Sequence, residues 1–341
     1  MSISIEKIKI TVIVPIYNQE KFLKECLTSL NKQTLREIEI LCINDGSTDN
    51  SLKILNDFLS IDSRIVIINQ SNQGVGHARN VGIDAARGEY LCFMDGDDFY
   101  PNDMVLEKLY RKAKENDALI CGGSWSEKIP NGRKYDFSDA FDGYIFHSEG
   151  WVDYRDYQFD FGYHRFIYGT SFLRGKHILF PEYKRYQDPV FFVKAMIAAE
   201  RFYAVPEITY CYRIGHQNWS EWKKEKWNDL VKGTSDVLQI AKQNNLDKLF
   251  EYTCLRIHDA SRVLTSIICN GQGDLFEILL QFNNSLKVSE YDFPLKQNFT
   301  KIFKCITDQK KEISNIRKSV SFRVGRTLTF LPRKIRNFLR K

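Results

Sequence analysis

The first 125 residues alternate short β-rich runs with stretches whose apolar residues recur at helical spacing, and this alternation limits the fold more than any other feature of the chain. Residues 10–16, 38–44, 64–69, 90–94 and 118–122 read as strands, and residues 19–32, 49–60, 75–86 and 103–115 read as the helices between them. In the first helix Phe22, Leu23, Cys26, Leu27 and Leu30 fall on one face. Repetition of this kind with short connections predicts an α/β fold, a mostly parallel twisted sheet flanked by helices. Such sheets bind ligands beyond the carboxyl ends of their strands. The polar clusters of this chain fall there.

Past residue 125 the pattern changes twice. Residues 126–220 are less regular and carry Tyr144, Phe146, Trp151, Tyr154, Tyr157, Phe159, Phe161, Tyr163 and Phe166, and they are expected to complete a first domain over 1–220. Residues 221–316 read as a helical C-terminal extension, with Leu230, Val237, Leu238, Ile240 and Ala241 in a periodic run and a break at Asn270, Gly271, Gln272 and Gly273. Residues 317–341 form a tail with nine basic residues and no acidic one, so the formal charge of +6 becomes −3 for the remainder. The tail interleaves its cations with Phe322, Val324, Leu328, Phe330, Leu331, Ile335, Phe338 and Leu339. That pattern suits an anionic membrane surface and, equally, a packed helix with a solvated basic face. Nucleic acid is excluded as a partner by the acidic remainder and the lack of a binding motif.

Eight cysteines are scattered without a CxxC pair, which predicts buried free thiols and a reducing, cytoplasmic setting. Lys9 and Pro15 interrupt the first apolar run, so it reads as a strand rather than a signal peptide, and no run reaches the roughly 18 apolar residues of a membrane span. A peripheral association with the inner face of the plasma membrane is the expectation.

Four polar clusters carry the chemistry. Asp95, Gly96, Asp97 and Asp98 follow the apolar run YLCFM. Three carboxylates within four residues repel one another, and a divalent cation would relieve them; a solvated acidic turn before the next helix is the alternative. Asn44 to Asp49, NDGSTD, ends a strand and opens a helix, where Ser47 or Asp49 can cap; capping leaves Asp45 unexplained, and its carboxylate could accept the imide hydrogen of uracil or thymine. Val14 to Asn18, VPIYN, ends the first strand at Pro15 and offers Tyr17 either for stacking a base or as a core tyrosine. Asn72 to Gly82, NQGVGHARNVG, has Arg79 where a dinucleotide fingerprint needs its third glycine, so Arg79 and Asn80 instead offer polar groups to a phosphate or ribose.

Together, VPIYN, NDGSTD, NQGVGHARN and FMDGDD resemble, in order and spacing, the motifs of the inverting family 2 glycosyltransferases of the GT-A fold, over roughly residues 8 to 220. The resemblance implies a nucleotide-sugar part at 1–125 and an acceptor part at 126–220. It implies that Pro15, Tyr17, Asn18, Asp45, Asn72, Arg79, Asp95 and Gly96 line the nucleotide, and that Asp97 helps hold Mg2+ or Mn2+. The metal would neutralise the departing nucleoside diphosphate. It further implies a nucleotide-sugar donor, UDP-linked by default, and a saccharide or lipid-linked acceptor in capsule, lipopolysaccharide or related surface polymers.

The family's base is a carboxylate in an ED pair before a helix; here Gln187 replaces the glutamate and Asp188 remains. Capping of that helix, with Pro189 at its first position, is the competing role for Asp188. Arg213 and His216 fall where the family closes a loop over the diphosphate. A sugar nucleotidyltransferase would need a glycine-rich, arginine-containing N-terminal loop that this chain lacks. A catalytically silent nucleotide-sugar or membrane-binding module would not need Asp95, Asp97 and Asp188 together.

Overall fold

β1 (Ile10–Ile16) is buried along its whole length, because helices cover both faces of the sheet around it and leave no solvent side for polar residues. Its one polar residue, Thr11, is satisfied internally by donating its hydroxyl to Glu39 Oε2 at 2.8 Å. This computed structural model describes residues 7–128, 134–136, 143–215, 222–270 and 275–287, with single positions at 304, 308 and 311. The expected contributions of His216 and of the tail at 317–341 lie outside the described residues.

From β1 the chain continues through α1 (Leu23–Asn31), β2 (Ile38–Asp45), α2 (Ser51–Leu59), β3 (Ile65–Gln70), α3 (Val75–Ala85), β4 (Tyr90–Phe93), α4 (Val105–Glu115) and β5 (Ile120–Lys128). The expected alternation is present. α1 begins four residues later than its apolar pattern, because the backbone amides of Gln19 and Glu20 are held by Ser51 and Asp49. There follow β6 (Lys134–Asp136), β7 (Gly150–Asp153), α5 (Tyr154–Tyr157), a 3-10 turn at Tyr163–Arg165, β8 (Phe166–Gly169), α6 (Thr170–Gly175), α7 (Gln187–Ala199), β9 (Arg201–Arg213), α8 (Lys224–Gln243), α9 (Asp247–Cys269) and α10 (Phe276–Lys287).

The strands form one sheet in the order β3-β2-β1-β4-β8-β5-β9-β7, with β6 on β5. β1 pairs in parallel with β2 and β4, and β2 with β3. β8 then runs antiparallel between β4 and β5, β9 returns parallel to β5, and β7 closes the edge antiparallel to β9. Five of the strands, β1 to β5, thus point the same way as β9, so the sheet is mostly parallel and the ends of β1, β2, β3, β4 and β9 all face one rim. Chain packing divides the molecule into residues 1–254 and 255–341, and α8 belongs with the sheet. Among the described residues no helix is long and apolar enough to cross a membrane, and the seven described cysteines are free thiols, six of them buried.

α3 approaches the sheet closely because Gly82 carries no side chain. A Cβ there would lie 2.3 Å from Ile13 Cγ2, on a strand with no room to retreat. Gly82→Ala should therefore cost about 1–3 kcal/mol through overpacking. A lowered urea midpoint with an unchanged m-value would show it; an unchanged midpoint would mean that α3 can shift freely.

Candidate active site

The loops at the rim are laced to each other rather than to themselves. Asn18, in a left-handed backbone conformation at φ +53°, accepts with Oδ1 from the amides of Thr48 (2.8 Å) and Asp49 (3.4 Å), while its own amide donates to Ser47 Oγ at 3.2 Å. Glu20 accepts from both the backbone and side-chain amides of Asn50. The loop after β1 is thereby fastened to the loop after β2. Tyr17 at its tip is 49% exposed, so it is no core residue and offers its ring to solvent.

Asp45, only 2% exposed, ends β2 and fastens the next loop. Its Oδ1 accepts from Gln73 N and Gln70 Nε2, both at 2.8 Å, and its Oδ2 accepts from Gly74 N at 2.9 Å. Asn72 Nδ2 donates to the Asp45 carbonyl at 3.1 Å. The carboxylate thus fixes the approach to α3, and Oδ2 keeps one lone pair for a further donor.

β4 stops at Phe93, and Asp98 N donates to the Asp95 carbonyl at 2.9 Å to close a turn. Strand alternation therefore does not govern Asp95 and Asp97, and the three carboxylates go to separate environments. Asp95 meets Arg79 at 2.7 Å and accepts from Tyr163 Oη at 3.3 Å. Burial works to raise its pKa, but the Arg79 charge and these hydrogen bonds outweigh it and leave the carboxyl below its ordinary value. Asp98 is buried, accepting from Tyr210 Oη at 2.8 Å and Arg213 N at 2.7 Å; desolvation, then the charges of Asp97 and Asp95, push its pKa well up. Asp97 remains partly exposed between them. Gly96 packs under the first loop, where an added Cβ would lie 3.2 Å from Gln19 and 3.6 Å from the Pro15 carbonyl.

Arg213, at the end of β9, donates through Nε to the Asp97 carbonyl at 2.8 Å and through Nη2 to Glu25 at 2.5 Å, over the ring of Phe22. Its guanidinium is thus fixed beside Asp97. Behind this rim His164 is buried among Tyr210 (3.9 Å between ring centroids), Trp125 (4.6 Å) and Tyr163 (5.0 Å). Burial pushes its pKa down to about 3, so the ring is neutral at ordinary pH.

Asp188 is the second residue of α7, and Pro189 the third rather than the first. The capping position belongs to Tyr186, at φ +65°, and no side chain caps the helix there. Asp188 therefore does not occupy the capping position, though its own first-turn backbone amide favours the ionised carboxyl. Burial raises its carboxyl above the ordinary range, partly opposed by the charges of Arg79 and Arg185 and assisted by that of Asp95. The charge of Arg79, paired with Asp95 at 2.7 Å, also acts on the Asp188 carboxyl.

The rim thus gathers Pro15, Tyr17, Asn18, Asp45, Asn72, Arg79, Asp95, Gly96, Asp97, Asp188 and Arg213, while His216 lies outside the described residues. Sequence reasoning missed Glu25, Tyr163, Tyr210 and Arg185 in these roles. Only Arg185 left a local signal, a cation three residues before Asp188.

Among the described residues no three His, Cys, Asp or Glu side chains are arranged to enclose a metal ion. A magnesium-like ion held jointly with a diphosphate needs only one or two protein carboxylates. Asp97, partly exposed beside the buried Asp98 and the paired Asp95, meets that lesser requirement.

Residues 11–179 match the family described as glycosyl transferase family 2. The chain belongs to this family. It is 34% identical over 209 residues to the glycosyltransferase EpsJ of Bacillus subtilis, covering 60% of each chain. It is 33% identical over 216 residues to the poly(ribitol-phosphate) beta-glucosyltransferase of Bacillus spizizenii, covering 60% of this chain and 32% of that one. The crystal structure of S. aureus TarS 1-349 in complex with UDP-GlcNAc is similar with a TM-score of 0.58 at 25% identity, covering 71% of both chains. The fold is accordingly of the GT-A type. The family 2 match holds the loops from Tyr17 to Asp98, whereas Asp188 and Arg213 lie beyond its end.

In this family 2 domain Asp45→Asn replaces one of two acceptor oxygens by a donor, which then faces the backbone amide that oxygen accepted from. It should destabilise the loop at 72–74 by about 1–3 kcal/mol. Hydrogen exchange at Gln73 and Gly74 reads this directly; unchanged protection would show that Asp45 does not hold the loop.

Proposed function

We propose that this chain is a metal-dependent inverting glycosyltransferase that moves a sugar, by default from a UDP-sugar, to a hydroxyl of a saccharide or lipid-linked acceptor in cell-surface polysaccharide synthesis. The observation that carries the reading is Asp188, a carboxylate outside the capping position of its helix, acted on by the same guanidinium that pairs with Asp95. The UDP-GlcNAc complex of the similar TarS supports a uridine donor.

The rim then divides the work. Tyr17 stacks on the base, Asp45 and Asn72 order the loop that meets it, and Arg79 with Asp95 borders the ribose and phosphates. Pro15, Asn18 and Gly96 hold the backbone that lets the nucleotide approach. Asp97 is the residue that would hold Mg2+ or Mn2+, and a divalent ion there supplies Lewis-acid neutralisation of the leaving diphosphate. Arg213, fixed against the Asp97 carbonyl, adds a charge-assisted donor to the same phosphates. Asp188 takes the proton of the acceptor hydroxyl; the oxygen bonds to the anomeric carbon as the bond to the diphosphate breaks. Attack from the face opposite the leaving group inverts the anomeric configuration. Enzyme action at the inner membrane surface, by way of the basic tail, completes the proposal.

A raised pKa fixes two signs. The base works only when ionised, so kcat/KM should fall as pH is lowered through a value above the ordinary carboxylate range. Ionising Asp188 costs the folded state stability, since a group with a raised folded pKa contributes most below its unfolded value and loses this as pH rises through the folded one. Asp188→Asn should therefore abolish transfer, leave UDP binding within about twofold and leave the protein no less stable at neutral pH. Retained turnover, measured as UDP release with acceptor present, would remove Asp188 from the mechanism.

A further inference from the structure

Residues 183–186 lead into Asp188, and α8 holds them from three positions on one face. Tyr183 Oη donates to Asp236 Oδ2 at 2.8 Å, and Lys184 N donates to Asp229 Oδ2 at 2.8 Å. Between these anchors Tyr186 lies against Gly233, where an added Cβ would meet its ring and its carbonyl oxygen at 2.7 Å. Positions 229, 233 and 236 recur at i, i+4 and i+7, so they form one stripe of the helix. The turn is therefore fixed before any ligand arrives.

It presents Arg185. The guanidinium carbon lies 5.1 Å from the ring centroid of Trp222, which is itself 6% exposed. No carboxylate among the described residues makes a hydrogen bond or ion pair with Arg185. The contact with the ring places the charge over an aromatic face, and a guanidinium not paired with a carboxylate offers N–H groups in the fork that takes a phosphate through two bonds. Arg185 lies just ahead of α7 and three residues before Asp188, so an anion held there lies near that carboxyl. The charge of Arg185 acts on it and on the Tyr212 hydroxyl. The donor side already has Arg79 on α3 and Arg213 at the end of β9. A cation serving only to depress Asp188 would pair with it directly, and Arg185 does not.

We propose that Arg185 is an acceptor-specificity residue whose guanidinium, set over the ring of Trp222, binds a phosphate of the acceptor and delivers a neighbouring hydroxyl to Asp188. This rests on the glycosyl-transfer reading. The phosphate could belong to the diphosphate of a lipid-linked saccharide or to the phosphodiester of a polyol phosphate chain, and the recognition chemistry is the same.

The test uses the full chain saturated with UDP and manganese, titrated with three probes while intrinsic tryptophan fluorescence is followed. The probes are a saccharide on a short polyprenyl diphosphate, an oligomeric polyol phosphate, and the same saccharide on a neutral alkyl chain. At least one phosphate probe should bind about 10- to 100-fold tighter than the neutral one. Arg185→Gln should erase that preference while leaving the neutral probe unchanged, and Arg185→Lys should restore part of it. The tighter phosphate probe identifies the source. A wild-type protein with no preference, or a preference that survives Arg185→Gln, overturns the proposal, as does an equal loss for all three probes. Hydrolysis of UDP-sugars by the wild type, assayed separately, tests the glycosyl-transfer reading, because its failure leaves the binding preference readable.

Discussion

A guanidinium buried at the edge of a sheet must be neutralised, and the Arg79–Asp95 pair at 2.7 Å does this for the whole rim. Arg79 is 4% exposed and lies over the rings of Tyr163 (5.0 Å) and Phe180 (5.1 Å). Removing one partner of a buried pair of this kind typically costs about 3–5 kcal/mol, because the other charge is left without compensation. The pair therefore fixes α3, the end of β4, the 3-10 turn and the segment before α7 in one arrangement. Its Nε and Nη1 are buried without an acceptor. Unmet donors of a buried cation are a cost that the Asp95 pair and the two aromatic rings must outweigh.

The parallel half of the sheet was legible because strands covered on both faces must be apolar throughout, and Asn, Asp and Gly interrupt the chain where strands end. β1, β2 and β4 are short buried runs with such punctuation, and β3, at the sheet edge, is a partly buried one. The other half hid for the converse reason. β5 continues to Lys128 through Ser124, Ser126 and Glu127, because β9 and β6 supply partners that polarity alone does not announce. β8 and β7 are four residues each, and they join the sheet out of sequence order. No periodicity reveals a strand whose neighbour is distant in the chain.

The site shows the same division. Residue type and position at a strand end were enough to single out Asp45, Asp95 and Asp97 as a group. Their individual environments were not, since each is set by a residue far away: Gln70 and Gly74 for Asp45, Arg79 for Asp95, Tyr210 for Asp98. Mutual repulsion of three carboxylates was the natural inference from FMDGDDF. The protein relieves most of it with one guanidinium and with a buried carboxyl biased towards its protonated form.

α8 changes what the helical part is for. By gripping Tyr183, Lys184 and Tyr186 it fixes the turn that leads into Asp188. Asp188 sits under opposed influences, burial and Asp95 raising its pKa, Arg79 and Arg185 lowering it. An acceptor phosphate on Arg185 would cancel one of the two cations that favour the ionised form. The same binding event that brings the hydroxyl close would therefore make the carboxylate a stronger base when ionised while reducing its ionised fraction at a given pH, so the two effects oppose each other.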